Sequence, residues 1–278
     1  MITLIGLGNT GSKVVQKLSD YEQYNVLTID SGKEIKECKS PEEYEKKCPS
    51  LKKMFKGIDE DVFLFLSASG NISGASLRIL EQLKGKKINV VCISSDSVTL
   101  STVGNLQQNL VSGVLQEYAR SGLIDNLYLF DNSKIEEMLT DVSLEDYWDQ
   151  INNTISYIFH TFMYFDNTDP LMKFGHLEKD LANIHTFCVI NGEANANALY
   201  DLKYITNEKY YFSYNDKKDK DFLKKVKKFA QERSETKKVG TLIYKTDDAV
   251  TVTYAKFSTH VPQTQKSDFG ALDKQSDL

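Results

Sequence analysis

Ser67-Ala68-Ser69-Gly70-Asn71-Ile72-Ser73-Gly74-Ala75-Ser76 runs for ten residues with little side-chain bulk. An apolar run at 62–66 precedes it, and a helical pattern of Leu77, Leu80 and Leu83 follows. A small-residue turn between a strand and a helix leaves backbone N–H groups free where the helix dipole favours an anion. Gly6-Leu7-Gly8-Asn9-Thr10-Gly11-Ser12 repeats the arrangement near the start of the chain. Two such turns on one sheet point to a site that grips a polyphosphate from two sides.

Working outward, apolar runs at 2–5, 26–29, 62–66, 88–93 and 127–130 read as buried strands, with helical patterns at 12–18 and 106–120. Strands alternating with helices predict a parallel sheet covered on both faces. Residues 33–57 are highly charged and contain Pro41 and Pro49, which predicts irregular structure with short helices. Residues 143–165 form the longest helical stretch. Leu144, Trp148, Ile151, Ile155, Ile158, Phe159, Phe162 and Met163 recur at helical spacing, and core packing is expected of them. After Pro170 the pattern changes to strands at 186–190, 210–214, 239–244 and 249–257, with an amphipathic Lys-rich helix at 222–233. Asp247-Asp248 reads as a hairpin turn between the last two strands.

The fold class expected is therefore α/β. A Rossmann-like parallel-sheet nucleotide-binding domain covers 1–142, a long central helix 143–166, a smaller α+β domain 167–261 and a flexible polar tail 262–278.

The 278 residues are 41% hydrophobic and 26% charged, enough for a core. A net charge of −5 argues against direct nucleic-acid binding. No apolar run reaches membrane-spanning length, and the chain begins with a strand pattern, so no membrane partner and a cytoplasmic location are expected. Cys38, Cys48, Cys92 and Cys188 lack C-x-x-C spacing, and His160, His176, His185 and His260 form no cluster, so no metal site is expected.

Gly6, Gly8 and Gly11 fit a G-x-G-x-x-G pattern, and Asp30 follows where an acid would hold a ribose. By itself this fits an NAD-dependent oxidoreductase. The second small-residue turn is what that reading does not require.

The order of parts resembles the tubulin/FtsZ superfamily, in its phage and plasmid branch (TubZ- or PhuZ-like) or near FtsZ. Residues 5–12 look like its first phosphate loop, and 68–76 match a degenerate form of its G-G-G-T-G-T-G signature. Residues 127–134, with Asn132 and Lys134, resemble the strand and turn before its central helix. Ser143-Leu144-x-Asp146 with Trp148 and Asn152 resembles the start of that helix, and 247–257 its terminal hairpin.

The resemblance implies GTP or GDP as ligand, with Mg2+ a further candidate. Backbone amides at Gly8, Asn9, Gly11 and Ser12 would face the α- and β-phosphates. Gly70, Asn71, Ile72, Ser73 and Gly74 would wrap the β- and γ-phosphates, Asp30 would approach the nucleotide, and Asn152 would read the guanine edge. It further implies head-to-tail filaments that position or segregate DNA in a bacterial cell, the protein being encoded there or by a phage or plasmid. A DNA-bound adaptor would sit on the C-terminal tail. GTP would be hydrolysed slowly between subunits by an acidic loop after the central helix, of N-x-D-x-x-D type. That loop is read here as 173–178, with Glu178 as catalytic acid and Asp180 as the alternative.

Several positions depart from the family. Ser69 and Ile72 replace phosphate-cradling glycines, and Val103 and Gln107 stand where relatives use Glu and Arg. The segment between Asp30 and Val62 lacks a glycine-rich loop. These departures motivate an alternative, a non-catalytic scaffold of the same fold with weak or absent nucleotide binding.

Overall fold

The computed structural model describes residues 1–139, 143–177, 182–191, 195–215, 221–235, 237–245 and 253–263. Glu178 and Asp180, the Asp247-Asp248 turn and tail residues 264–278 lie outside them.

β1 (Ile2–Leu7), β2 (Tyr24–Ile29), β3 (Asp61–Ser67), β4 (Lys87–Ser94) and β5 (Asn126–Asp131) are all parallel, in the order β2-β1-β3-β4-β5. Alternate residues of each strand enter different cores, which is why these strands read as unbroken apolar runs. Ile5, Leu64, Val90 and Leu129 join one core with α3 (Ser76–Gln82) and α4 (Thr102–Arg120). Leu4, Phe65, Val91 and Phe130 join the other with α1 (Gly8–Gln16) and α6 (Tyr147–Asp166). Two short helices complete this half: α2 (Pro41–Lys47), begun by Ser40 and Pro41, and α5 (Asn132–Glu136).

The sheet continues through β7 (Ile184–Asn191), which pairs parallel with β5 at Leu127 and Tyr128. The full order is β2-β1-β3-β4-β5-β7-β11-β9-β10-β6, with β6 (Met172–Gly175), β9 (Asn207–Tyr214), β10 (Lys238–Lys245) and β11 (Thr253–Thr259); β8 (Asn195–Ala198) pairs with β7. α7 (Phe222–Ser234) carries the chain from β9 to its parallel neighbour β10. α6 bridges both halves. Phe159 meets Phe63 and Phe65 edge-on at 5.1 and 4.9 Å, and Phe162 stacks on Phe187 at 3.8 Å. Burying each ring contributes about 2–3 kcal/mol.

Three expectations need correction. The last two strands are not a hairpin: β9 lies between β10 and β11, because the α7 crossover claims one edge of β9 and β11 takes the other. Leu144 and Trp148 are not core residues; they are 91% and 55% exposed, while the stripe from Ile151 onward is buried. Finally, the stretch read as an acidic loop begins as a strand, with Lys173, Phe174 and Gly175 paired to Leu242, Thr241 and Gly240 of β10.

Candidate functional site

The carboxyl ends of β1 and β3 flank the point where the chain switches faces of the sheet, with α1 leaving to one side and α3 to the other. Open parallel sheets bind ligands at such a switch point. Gly8 opens α1 with φ +69°, a conformation that glycine adopts without strain. Leu7 stands at its N-cap and offers no side-chain cap, and the first turn has no acidic residue. Ser40, Ser101 and Asp131 cap α2, α4 and α5, whereas α3, α6 and α7 start without a side-chain cap, as α1 does. Among the described residues, no N-cap side chain serves the first-turn amides of α1.

Those amides border a cleft of about 550 Å³, lined by Gly8, Asn9, Ser12, Asp30, Asn71 and Ile72 among others. Lys13 and Lys33 reach the same cleft and give it positive charge. Ser12 Oγ donates to Asp30 Oδ1 at 2.8 Å, and Lys33 Nζ lies 3.6 Å from Asp30 Oδ2. Tyr44 closes the far wall through a short hydrogen bond between its hydroxyl and that of Ser31, 2.5 Å apart.

The glycines divide by what surrounds them. A β-carbon on Gly11 would collide with the Phe65 carbonyl, and one on Gly6 would stand 2.6 Å from the Gly11 backbone. These two let α1 lie close on β1 and β3. Gly70 has room for a β-carbon, which would make only ordinary contact with the Ser67 carbonyl at 3.8 Å. Gly74 is pressed on the backbone of Pro41, so its missing side chain seats α2.

The side chains of Ser69, Asn71 and Ser73 in the second turn are bonded within the protein. Ser73 is buried; its hydroxyl donates to the Ala68 carbonyl at 3.2 Å and accepts from Gln107 Nε2 at 3.1 Å. Asn71 Nδ2 donates to the Lys39 carbonyl at 3.3 Å. Ser69 joins Ser67 and Ser95 through hydroxyl contacts.

Asn152 is buried in α6, one turn before Ser156, whose hydroxyl donates to the Val14 carbonyl of α1 at 2.9 Å. Neither Asn152 nor Gly11, Gly70, Ser73 or Gly74 is among the residues lining the cleft. At the end of β5, Asn132 is buried and its Oδ1 has no hydrogen-bond partner. Beside it, burial pushes the Asp131 carboxyl above the usual carboxylate range.

No protein-family model and no curated protein matches the sequence. Solved structures do match. CetZ2 from Haloferax volcanii, a GTPγS-bound protofilament, superposes with a TM-score of 0.73 at 12% identity, over 98% of each chain. TubZ of Bacillus thuringiensis serovar israelensis, a GTPγS-form protofilament, gives 0.68 at 12% identity over 97% of this chain and 89% of its own. An empty FtsZ dimer of M. jannaschii gives 0.67 at 12% identity over 93% and 88%. This chain has the tubulin/FtsZ fold.

Within that fold, the residues fit a phosphate group at α1: a glycine at positive φ, uncapped amides and two lysines. On the second turn the side chains of Ser69, Asn71 and Ser73 are bonded within the protein, so a phosphate there would rest on main-chain amides alone. The loop directly following the central helix is 167–171, and it reads Asn167-Thr168-Asp169. The N-x-D signal was available in the sequence, adjoining the long helical pattern. Asp169 thus lies between α6 and β6, ahead of the stretch read from the sequence as the acidic loop.

Proposed function

We propose that the protein is a guanine-nucleotide-binding subunit that associates head to tail with copies of itself. The observation that carries the binding half is the uncapped start of α1 behind Gly8, opening on a lysine-bearing cleft large enough for a nucleotide. Asn132, whose Oδ1 has no hydrogen-bond partner among the described residues, and Asn152, on helices tied together by the Tyr147–Glu136 hydrogen bond of 2.8 Å, are the base-reading candidates, although both are buried and neither lines the cleft. CetZ2 and TubZ, both GTPγS protofilaments, support the reading by likeness of fold.

The assembly half rests on exposed apolar residues at opposite ends of the 20-residue central helix, about 30 Å apart. Leu144 and Trp148 stand at its start, beside the carboxyl ends of the strands; Leu171 (62% exposed) and Met172 follow its end. Patches at opposite ends suit a heterologous joint that repeats along a line. In that joint Asp169 would face the neighbour's nucleotide.

A second reading, the non-catalytic scaffold, is favoured over hydrolysis by one observation: on the second turn the Asn71 amide and the Ser73 hydroxyl are bonded within the protein. At a net charge of −5, any DNA cargo would be reached through an adaptor. Calorimetric titration with guanine nucleotide, followed by sedimentation of the complex, tests the proposal. Heat of binding and pelleting protein support it, and absence of both refutes it.

A further inference from the structure

We infer that the site takes a nucleoside diphosphate and has no seat for a third phosphate, because the side chain of Ile72 fills the gap between the two strand-to-helix turns. This rests on the reading of α1 as the phosphate seat.

The geometry is direct. A β-carbon placed on Gly8 would stand 2.5 Å from Ile72 Cγ2. The face of Gly8 that points toward the second turn is thus covered by a methyl group. Ile72 is held there, not hanging in solvent: it is half-buried and packs against the core that contains Leu7, Leu66 and Ala75. On either side, Asn71 is tied to Lys39 and Ser73 to Ala68 and Gln107. Beyond them Gly74 is wedged on Pro41, which fixes the turn beneath α2. A phosphate here would meet the Ile72 hydrocarbon, and with the Asn71 and Ser73 side chains bonded elsewhere only main-chain amides of the turn would be left to hold it, a poor exchange for a charged group.

The rest of the cleft stays available. Asn9, Ser12 and Lys13 of α1 line it, and Lys33 reaches it from beyond the end of β2. Two phosphates on α1 can be neutralised there; a third, directed at the second turn, meets Ile72. The nucleotide then acts as a fixed part of the subunit, and assembly does not depend on a terminal phosphate.

Titration calorimetry with GDP and with GTP tests this on the unaltered protein. The two affinities are expected within about threefold, since the extra phosphate gains no contact. Preference for GTP by about tenfold or more would overturn the inference while leaving the phosphate seat intact. Failure of both nucleotides to bind would instead refute the seat itself, and the inference with it. Ile72→Gly is expected to create a GTP preference of about tenfold by opening the cradle. Ile72→Thr, which keeps the branched shape and adds a hydroxyl, serves if the glycine variant does not fold. A folded Ile72→Gly protein whose GTP/GDP ratio stays unchanged would overturn the assignment to this side chain.

Discussion

Ser12 and Asp30, at the ends of different elements, hold each other through a 2.8 Å hydrogen bond that ties the start of α1 to the end of β2. Asp30 also has Lys33 beside it, and its own N–H donates to Glu34 Oε2 at 2.9 Å. The acid is therefore a brace of the cleft as well as one of its walls. Asp30→Ala is expected to cost about 2 kcal/mol, the usual worth of a hydrogen bond to a charged group. A shift in the urea midpoint measures it. An unchanged midpoint would show that the brace carries no weight.

Gly74 makes a different claim. In the family resemblance it belongs to a phosphate cradle, yet the structure shows it pressed on Pro41. Gly74→Ala should force α2 away and destabilise the protein by about 1–3 kcal/mol with no ligand present. Thermal unfolding of the ligand-free protein is the measurement. Full stability of the variant would return Gly74 to the cradle.

The contrast between these residues shows what sequence could reveal. The parallel half was legible because both faces of β1, β3, β4 and β5 are buried, so each strand is a plain apolar run. The strands β6 and β8 were not: each has four residues, β6 is mostly exposed, and β8 is Asn-Ala-Asn-Ala. The hairpin expected before β11 failed because adjacency in sequence does not determine which edge of β9 a strand takes. At the site, spacing located the glycines but could not say what fills the space each leaves. Gly8, Gly11 and Gly74 look equivalent in sequence, whereas one faces Ile72, one the Phe65 carbonyl and one Pro41. Trp148 matched a helical core stripe, and only the packing shows that the stripe starts one turn later.

Acid sensitivity should centre on His185. It is buried, its Nδ1 lies 2.8 Å from Ser258 Oγ, and its Nε2 lies 3.0 Å from Asn126 Oδ1. Because Asn126 Nδ2 donates to Asn89 at 2.7 Å, Asn126 Oδ1 accepts, so Nε2 carries a proton. Burial first, then the charges of Lys256 and Lys209, hold its pKa well below the usual histidine value. The unfolded chain thus binds a proton that the folded chain refuses. Stability is complete above about pH 6.5 and falls as pH drops below it, with a slope of up to about 1.4 kcal/mol per unit. Urea midpoints between pH 7.5 and 5 should fall more steeply for the natural protein than for His185→Gln. Equal slopes would mean that His185 does not set the acid limit.

The head-to-tail joint makes the sharpest demand, because its two surfaces lie on different ends of one chain. Trp148→Glu places a charge on the exposed start of α6, and Leu171→Glu places one just beyond its end. Each position is more than half exposed, so neither change should cost more than about 0.5 kcal/mol of folding stability. Both variants should bind nucleotide as the natural protein does, and neither should pellet. Mixed in equal amounts, they retain one sound pair of surfaces, the start-side face of Leu171→Glu and the end-side face of Trp148→Glu. The mixture should therefore form a dimer and stop there, which sedimentation velocity resolves from monomer and polymer. A self-complementary joint behaves otherwise: one of the two variants would assemble alone, since a two-fold contact uses the same patch twice. Observing that result would exclude head-to-tail growth through these ends.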